Sequence, residues 1–234
     1  MLSSQRPMKM TQKKTENDHL AETRAAVVAA ALPHVAFDGW SETLLSEAIV
    51  ESGVEPGLAR LAFPRGAVDL ALAFHRLMDA RLEEDLNPAD LGAMRIRERV
   101  THCVRTRIEL VADEREAVRR GATLFALPMH APDGAKAIWE TADLIWRLCG
   151  DTATDYNWYT KRAILSGVYG STVLYWLGDQ DPDFAPTWAF LDRRIEDVMR
   201  FEKAKAGARE NPLARAAFAL PGALLGMIKA PSGS

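Results

Sequence analysis

The chain has 234 residues, 48% of them hydrophobic and 26% charged, with a formal net charge of −3. This is an ordinary globular composition with apolar residues for a sizeable core, long enough for one large domain or two small ones. The slightly acidic balance provides no global attraction to nucleic acid or to an anionic membrane.

Residues 1–20 are polar, with no apolar h-region and no periodic apolar face, so they do not read as a secretory signal and are expected to be disordered. No stretch is expected to reach the ~18 apolar residues of a transmembrane helix. From there on the apolar residues recur at helical spacing, Pro and Gly fall between segments, and no alternating strand is found. Ala21 to Leu32 reads as a first helix, and Phe37-Asp38-Gly39-Trp40 as a turn. Ser41 caps a second helix to about Ser52, and Gly53 breaks it. Glu55-Pro56 opens a short third helix to about Phe63, and Pro64-Arg65-Gly66 leads into a fourth, to about Leu86.

The fifth segment, about Leu91 to Val111, carries Arg95, Arg97, Arg99, Arg105 and Arg107 spread around the helix, with Glu98 and Glu109 between them; a solvated face fits this better than an anion site. A sixth helix starts at Asp113 or Glu114 and runs to about Leu127. A seventh, Ala135 to Cys149, sets Ile138, Ala142, Ile145 and Cys149 on one face, with Trp139 and Trp146 beside it. Cys103 and Cys149 have no CxxC partner and read as buried, reduced thiols.

The eighth helix, capped by Thr154, organises the rest. From Ala163 to Gly178 it carries no charge over about 24 Å, too short for a bilayer core. Ser166, Gly167, Gly170, Ser171 and Thr172 suit a close-packed interior. Its first turns differ: Asp155, Trp158, Tyr159 and Arg162 form one stripe, either aromatics packed inward beside solvated charges or a binding surface. A ninth helix begins near Pro186, with Phe184, Trp188, Leu191, Ile195 and Val198 in an apolar stripe, and ends in the charged stretch Glu202 to Glu210. Leu213 to Lys229 is apolar almost all round and interrupted by Pro221-Gly222. It reads either as a last helix docked on the body or a second subunit, or as an in-plane membrane anchor through Leu213, Ala217, Phe218, Leu220, Leu224, Leu225 and Ile228.

Catalytic signatures are missing from the sequence: it has no GxGxxG, no phosphate-binding Walker loop and no GxSxG. Glu16-x-x-His19 stands alone in the polar tail, whereas a di-iron bundle needs two such motifs on core helices. No metal, no cofactor and no enzymatic activity are expected.

The order of helices and turns from Ala26 to Phe74 resembles the helix-turn-helix head of TetR-family regulators. The short recognition helix, EPGLARLAF, offers Arg60 and little else to read base edges or hold phosphates, so the head is degenerate and nucleic acid is not an expected partner. In the second half, LPMHAP (127–132), WRLCGD (146–151), TDYNWYTKRA (154–163) and PDFAPTWAFLDRR (182–194) resemble the coenzyme Q biosynthesis lipid-binding family, the ninth of the Coq proteins. That resemblance implies an all-α, TetR-like fold with four parts: a tail (1–20), a helix-turn-helix-like head (21–87), a lipid-binding body (88–206), and a linker with an amphipathic C-terminal helix (207–234).

It further implies a non-enzymatic protein that binds an isoprenoid quinone lipid. The protein would present that lipid to the di-iron demethoxyubiquinone hydroxylase of ubiquinone synthesis, pair as a homodimer and lie on the membrane surface. The setting is the cytoplasmic side of a bacterial inner membrane, or the matrix side if the protein is eukaryotic. Asp155, Trp158, Tyr159 and Arg162 match the family's partner-facing block. The lipid pocket is expected from Trp139, Trp146, Ile164, Val168, Tyr169 and Trp188, with Gly167 and Gly170 leaving room for a tail. The competing class is a TetR-type DNA-binding regulator with a hydrophobic effector.

Overall fold

The computed structural model describes residues 6–86, 88–152 and 156–210, with side chains over 17–86, 89–152 and 157–200. Its described secondary structure is entirely helical, in ten helices: α1 (Arg6–Asp38), α2 (Glu42–Ser52), α3 (Pro56–Ala62), α4 (Ala67–Asp85), α5 (Pro88–Ala93), α6 (Ile96–Glu109), α7 (Arg115–Phe125), α8 (Ala131–Leu148), α9 (Tyr156–Gly178) and α10 (Ala185–Glu210). They group into two compact units. One holds the chain to Ala80 with Val111–Ala137; the other holds Arg81–Leu110 and the chain from Ile138. Residues 111–137 therefore group with the head, whereas the sequence reading assigned them to the body.

In the first unit α1 packs against α2, α3 and α7. The local signals act as their chemistry dictates. Ser41 Oγ accepts from the Leu44 amide at 3.1 Å, and Gly53 ends α2 at φ +67°. Glu55 caps α3 through the Leu58 amide at 2.8 Å. Trp40 is buried, donates from Nε1 to the Ala117 carbonyl at 3.0 Å, and sets its ring 5.5 Å from Phe74. That hydrogen bond satisfies the indole inside the core.

Helix α1 departs from expectation at both ends. It starts at Arg6, so residues 6–20 are not the disordered tail expected: Lys, Met, Gln and Glu there favour helix without needing an apolar face. It also runs through Pro33 to Asp38, and the turn falls at Gly39, whose φ is +62°. Its segment Asn17–Asp38 is long and apolar enough to cross a membrane, contrary to the expectation from sequence, although Val27, Val28, Ala31 and Val35 are buried in the unit's core.

In the second unit the arginine-rich segment is two helices. Arg95 is extended between them (φ −68°, ψ 152°), and the Glu98 carboxylate accepts from its amide at 2.9 Å, starting α6 afresh. Arg99 donates to the carbonyls of Gly92, Met94 and Cys149, tying the end of α5 to the end of α8. Packing of α10 on α9 and α6 completes the unit. Helix α10 continues to Glu210, beyond the expected linker start at 207. The membrane-facing set of Leu213 to Ile228 lies outside the described residues.

Candidate lipid cleft and aromatic cluster

Helix α9 carries both features of interest. At its start, Trp158 and Tyr159 set their rings 4.7 Å apart, edge to face, and Trp139 of α8 joins at 6.0 and 6.4 Å. All three side chains are half-buried. Such pairs add about 0.5–1.5 kcal/mol beyond area burial.

Arg162 is not the surface charge that the stripe suggested. It is 2% exposed, bonds to Asp143 and, at 3.0 Å, to Asp151, donates to the Trp158 carbonyl at 3.1 Å, and lies under the Trp158 ring. The reason is the end of α8 and the loop after it, which supply two carboxylates to a guanidinium that could not be buried alone. Asp155 lies outside the described residues. The spacing rule therefore brings Trp158, Tyr159 and Arg162 together, but with the Trp158 ring seated on a buried cation and Tyr159 packed edge to face against that ring.

On another side of α9, from Asn157 to Val168, this helix with α6 and α10 lines a cleft of about 180 Å³. Val100, Ile164, Leu165, Val168, Ile195 and Val198 form its apolar walls, while Arg97, Asn157, Thr160 and Lys161 are its polar members. Trp146 lines it too, and its Nε1 donates to the Lys161 carbonyl at 3.0 Å. Lys161 Nζ bonds to Asp151 Oδ1 at 2.6 Å and sits 5.3 Å from the Trp146 ring centre. The volume is below the ~300–1,000 Å³ of a typical small-molecule pocket, so it suits part of a long chain.

Of the expected lipid residues, the structure brings Trp146, Ile164 and Val168 to this cleft. Tyr169 is buried elsewhere in the core. A Cβ on Gly170 would sit 3.6 Å from Ile138 Cδ1, so that glycine marks close approach of α8 and α9. Gly167 is exposed with open space around it. Trp188 packs under Arg105 at 4.7 Å and donates to the Asp183 carbonyl, away from the cleft. Trp139 belongs to the aromatic cluster. Sequence reasoning missed the α6 wall and, on α10, named Trp188 where Ile195 and Val198 line the cleft. The α10 stripe was visible, but nothing in one helix's period says which neighbour it faces.

Among the described residues, no group of three or more His, Cys, Asp and Glu could hold a metal ion. The head exposes Glu42, Glu47 and Glu51 on α2, while α3 exposes Arg60 and Leu61. Three carboxylates beside one arginine make a poor surface for phosphates.

Comparison with known proteins bears on these same helices. Residues 131–202 match the COQ9 family model. The chain is 32% identical over 193 residues to "Ubiquinone biosynthesis protein COQ9, mitochondrial" of Rattus norvegicus, covering 79% of this chain and 62% of that one. It is 30% identical to the Homo sapiens protein of the same description, covering 79% and 60%. The chain thus spans less than two thirds of the length of these relatives. Among solved structures, a TetR transcriptional regulator from Nitrosomonas europaea superposes with a TM-score of 0.60 at 19% identity, covering 74% of this chain and 96% of that one. That likeness shows a TetR-like fold and nothing of function. The family match spans α8, α9 and most of α10, the helices that carry the aromatic cluster and part of the cleft, and with these sequence relatives the chain belongs to the COQ9 family.

Proposed function

We propose that the protein is a non-enzymatic accessory protein of ubiquinone biosynthesis that takes up an isoprenoid quinone lipid and presents it to the di-iron demethoxyubiquinone hydroxylase. The cleft between α6, α9 and α10 carries this reading: apolar walls with Asn157, Thr160 and Lys161 as polar members. An isoprenoid tail fits such walls, since burial stabilises it by about 25 cal/mol per Å² of apolar surface. The ubiquinone-biosynthesis names of the relatives supply the class of lipid.

The half-buried rings of Trp158 and Tyr159 are the docking surface for the hydroxylase, with Trp139 completing the patch. Residues 211–234 hold the protein on the membrane surface through their apolar side chains. Exposed Leu174 and Tyr175 on α9 offer a face for pairing with a second copy. The site of action is the surface of the quinone-bearing inner membrane.

The experiment is lipid extraction and mass spectrometry on natively purified protein. An isoprenoid quinone in near-stoichiometric amount is expected. A folded protein that carries no lipid, and takes none from quinone-loaded vesicles, would leave the cleft as ordinary packing. The competing regulator reading is tested by gel shift at low salt, where phosphate contacts are strongest; no shift is expected.

A further inference from the structure

The cleft has two unlike ends. Along α9 the polar members Asn157, Thr160 and Lys161 come first, and Ile164, Leu165 and Val168 follow. From Lys161 to Val168 the helix rises about 10 Å. At the polar end, Lys161 is held in place from two sides. Asp151, 3% exposed, takes its Nζ on Oδ1 at 2.6 Å, and its own carbonyl accepts the Trp146 Nε1 bond at 3.0 Å. Nζ lies over the Trp146 ring, 5.3 Å from its centre, within cation–π reach. Ammonium and indole therefore stand side by side in the cleft wall, and neither has to be ordered when a ligand arrives.

We propose that Lys161 is the specificity-determining residue of the cleft: it donates to a ring oxygen of the lipid's headgroup, beside the indole of Trp146, and so sets the ligand with its head at Lys161 and its tail along Ile164, Leu165 and Val168. The inference rests on the lipid-carrying reading above and adds to it the headgroup, its direction in the cleft and the residue that selects it. An ammonium carries three N–H donors, of which the bond to Asp151 accounts for one, so Lys161 can serve a ligand acceptor while it keeps its counter-ion. That counter-ion also decides the class of head. With a carboxylate 2.6 Å from Nζ, the local charge is close to balanced, which disfavours a phosphate and suits a neutral carbonyl oxygen. Arg97, the other cation of the cleft, likewise has an acidic neighbour: Arg200 and, less strongly, Arg97 hold the Glu196 carboxyl below its usual range. A flat ring with carbonyl oxygens meets both partners at once, the donor through an oxygen and the indole through its π surface. The head then lies at the same end of α9 as the Trp158 ring, one turn or less from the surface that would pass it on.

The test is competitive uptake by the full chain, delipidated by detergent exchange. Phosphatidylcholine vesicles carry equal amounts of a ubiquinone with a farnesyl tail, farnesylbenzene and farnesyl phosphate, and mass spectrometry counts what the re-isolated protein holds. The tail is common to all three, so only the head decides. Wild type should prefer the quinone to farnesylbenzene by roughly ten-fold or more, the size of one charge-assisted hydrogen bond. Lys161→Met keeps the apolar stem and removes the donor; it should bring the two near parity with farnesylbenzene uptake unchanged, and Lys161→Arg should restore part of the preference. If Lys161→Met does not fold, Lys161→Gln, which keeps a partner for Asp151, should cut the preference in the same direction. A full preference in a folded Lys161→Met or Lys161→Gln protein would overturn the assignment to Lys161. Parity in wild type, or farnesyl phosphate displacing the quinone, would overturn the headgroup proposal and leave the lipid-carrying reading standing. Uptake of none of the three would remove both.

Discussion

The Arg162 guanidinium lies 4.0 Å from the centre of the Trp158 ring, and the same side chain is only 2% exposed. A cation buried this deeply is held by its partners, here Asp151, 3% exposed, and Asp143, 28% exposed. The ring above it is thus seated on an ion pair rather than on aliphatic packing. Replacing Arg162 with Met leaves two carboxylates facing an apolar side chain. Breaking a buried pair from one side costs about 3–5 kcal/mol, with Asp143 relieving part of it through water. Urea denaturation should place Arg162→Met near the lower end of that range, and Arg162→Lys should recover part of the loss. A stability equal to wild type in Arg162→Met would refute the pairing.

Trp158→Ala and Tyr159→Ala should behave differently. Their rings are half-buried, so the fold should survive while the proposed contact with the hydroxylase weakens. Truncating a central aromatic anchor costs about 2 kcal/mol or more at an interface, or at least tenfold in Kd. Titration calorimetry against the hydroxylase, with circular dichroism as control, separates the two effects. Unfolding of both variants would make the cluster core.

The cleft can be filled from its own wall. Ile164 is half-buried there, and Ile164→Trp would occupy much of a space of about 180 Å³. Overpacking costs about 1–3 kcal/mol, which a folded domain tolerates. Co-purifying quinone should fall several-fold relative to wild type while the thermal transition stays cooperative. Undiminished lipid in a folded Ile164→Trp protein would put the lipid elsewhere.

Glu55 gives a pH signature in the head. The amides of Gly57 and Leu58 hold its carboxylate below the usual range, and Arg60 assists. The folded-state value is thus lowered, so this cap's contribution is fully present above the unfolded value of about 4.5. It is lost as pH falls through the lower folded value. Wild type and Glu55→Gln should therefore differ in stability at neutral pH and converge in acid. Curves that stay parallel down to the acid transition would show that the cap contributes nothing through its charge.

Removing residues 211–234 should abolish flotation with quinone-free liposomes and leave the helical signal of the body unchanged. Flotation equal to that of the full chain would mean that another surface meets the bilayer, with the apolar Asn17–Asp38 segment the first to test.

Much of the helical order was legible because Ser41, Gly53 and Glu55-Pro56 act locally: a cap or a breaker needs no knowledge of the neighbours. Arg95 was harder. An arginine inside an arginine-rich period reads as helix, and only the Glu98 carboxylate returning to its amide breaks the run. For Arg162, spacing gave the stripe correctly but not its depth. Whether a cation at that position meets water or two carboxylates is decided by Asp143 and Asp151, and no periodicity in α9 reports them. Likewise Gly170 and Trp188 had the right residue types for a lipid wall, yet Ile138 and Arg105 occupy the space beside them.

Asp151 divides its two oxygens between the two features of α9: Oδ1 takes Lys161 at the cleft, and Oδ2 takes Arg162 beneath Trp158. Cleft and ring cluster therefore share a counter-ion. Whatever draws Lys161 away from Asp151 leaves more of that carboxylate's field to Arg162 and holds the Trp158 seat more firmly. By thermodynamic reciprocity, a firmer grip on Trp158 must ease the release of Lys161 to the same extent. Two surfaces that look separate along the helix are in this sense one electrostatic unit.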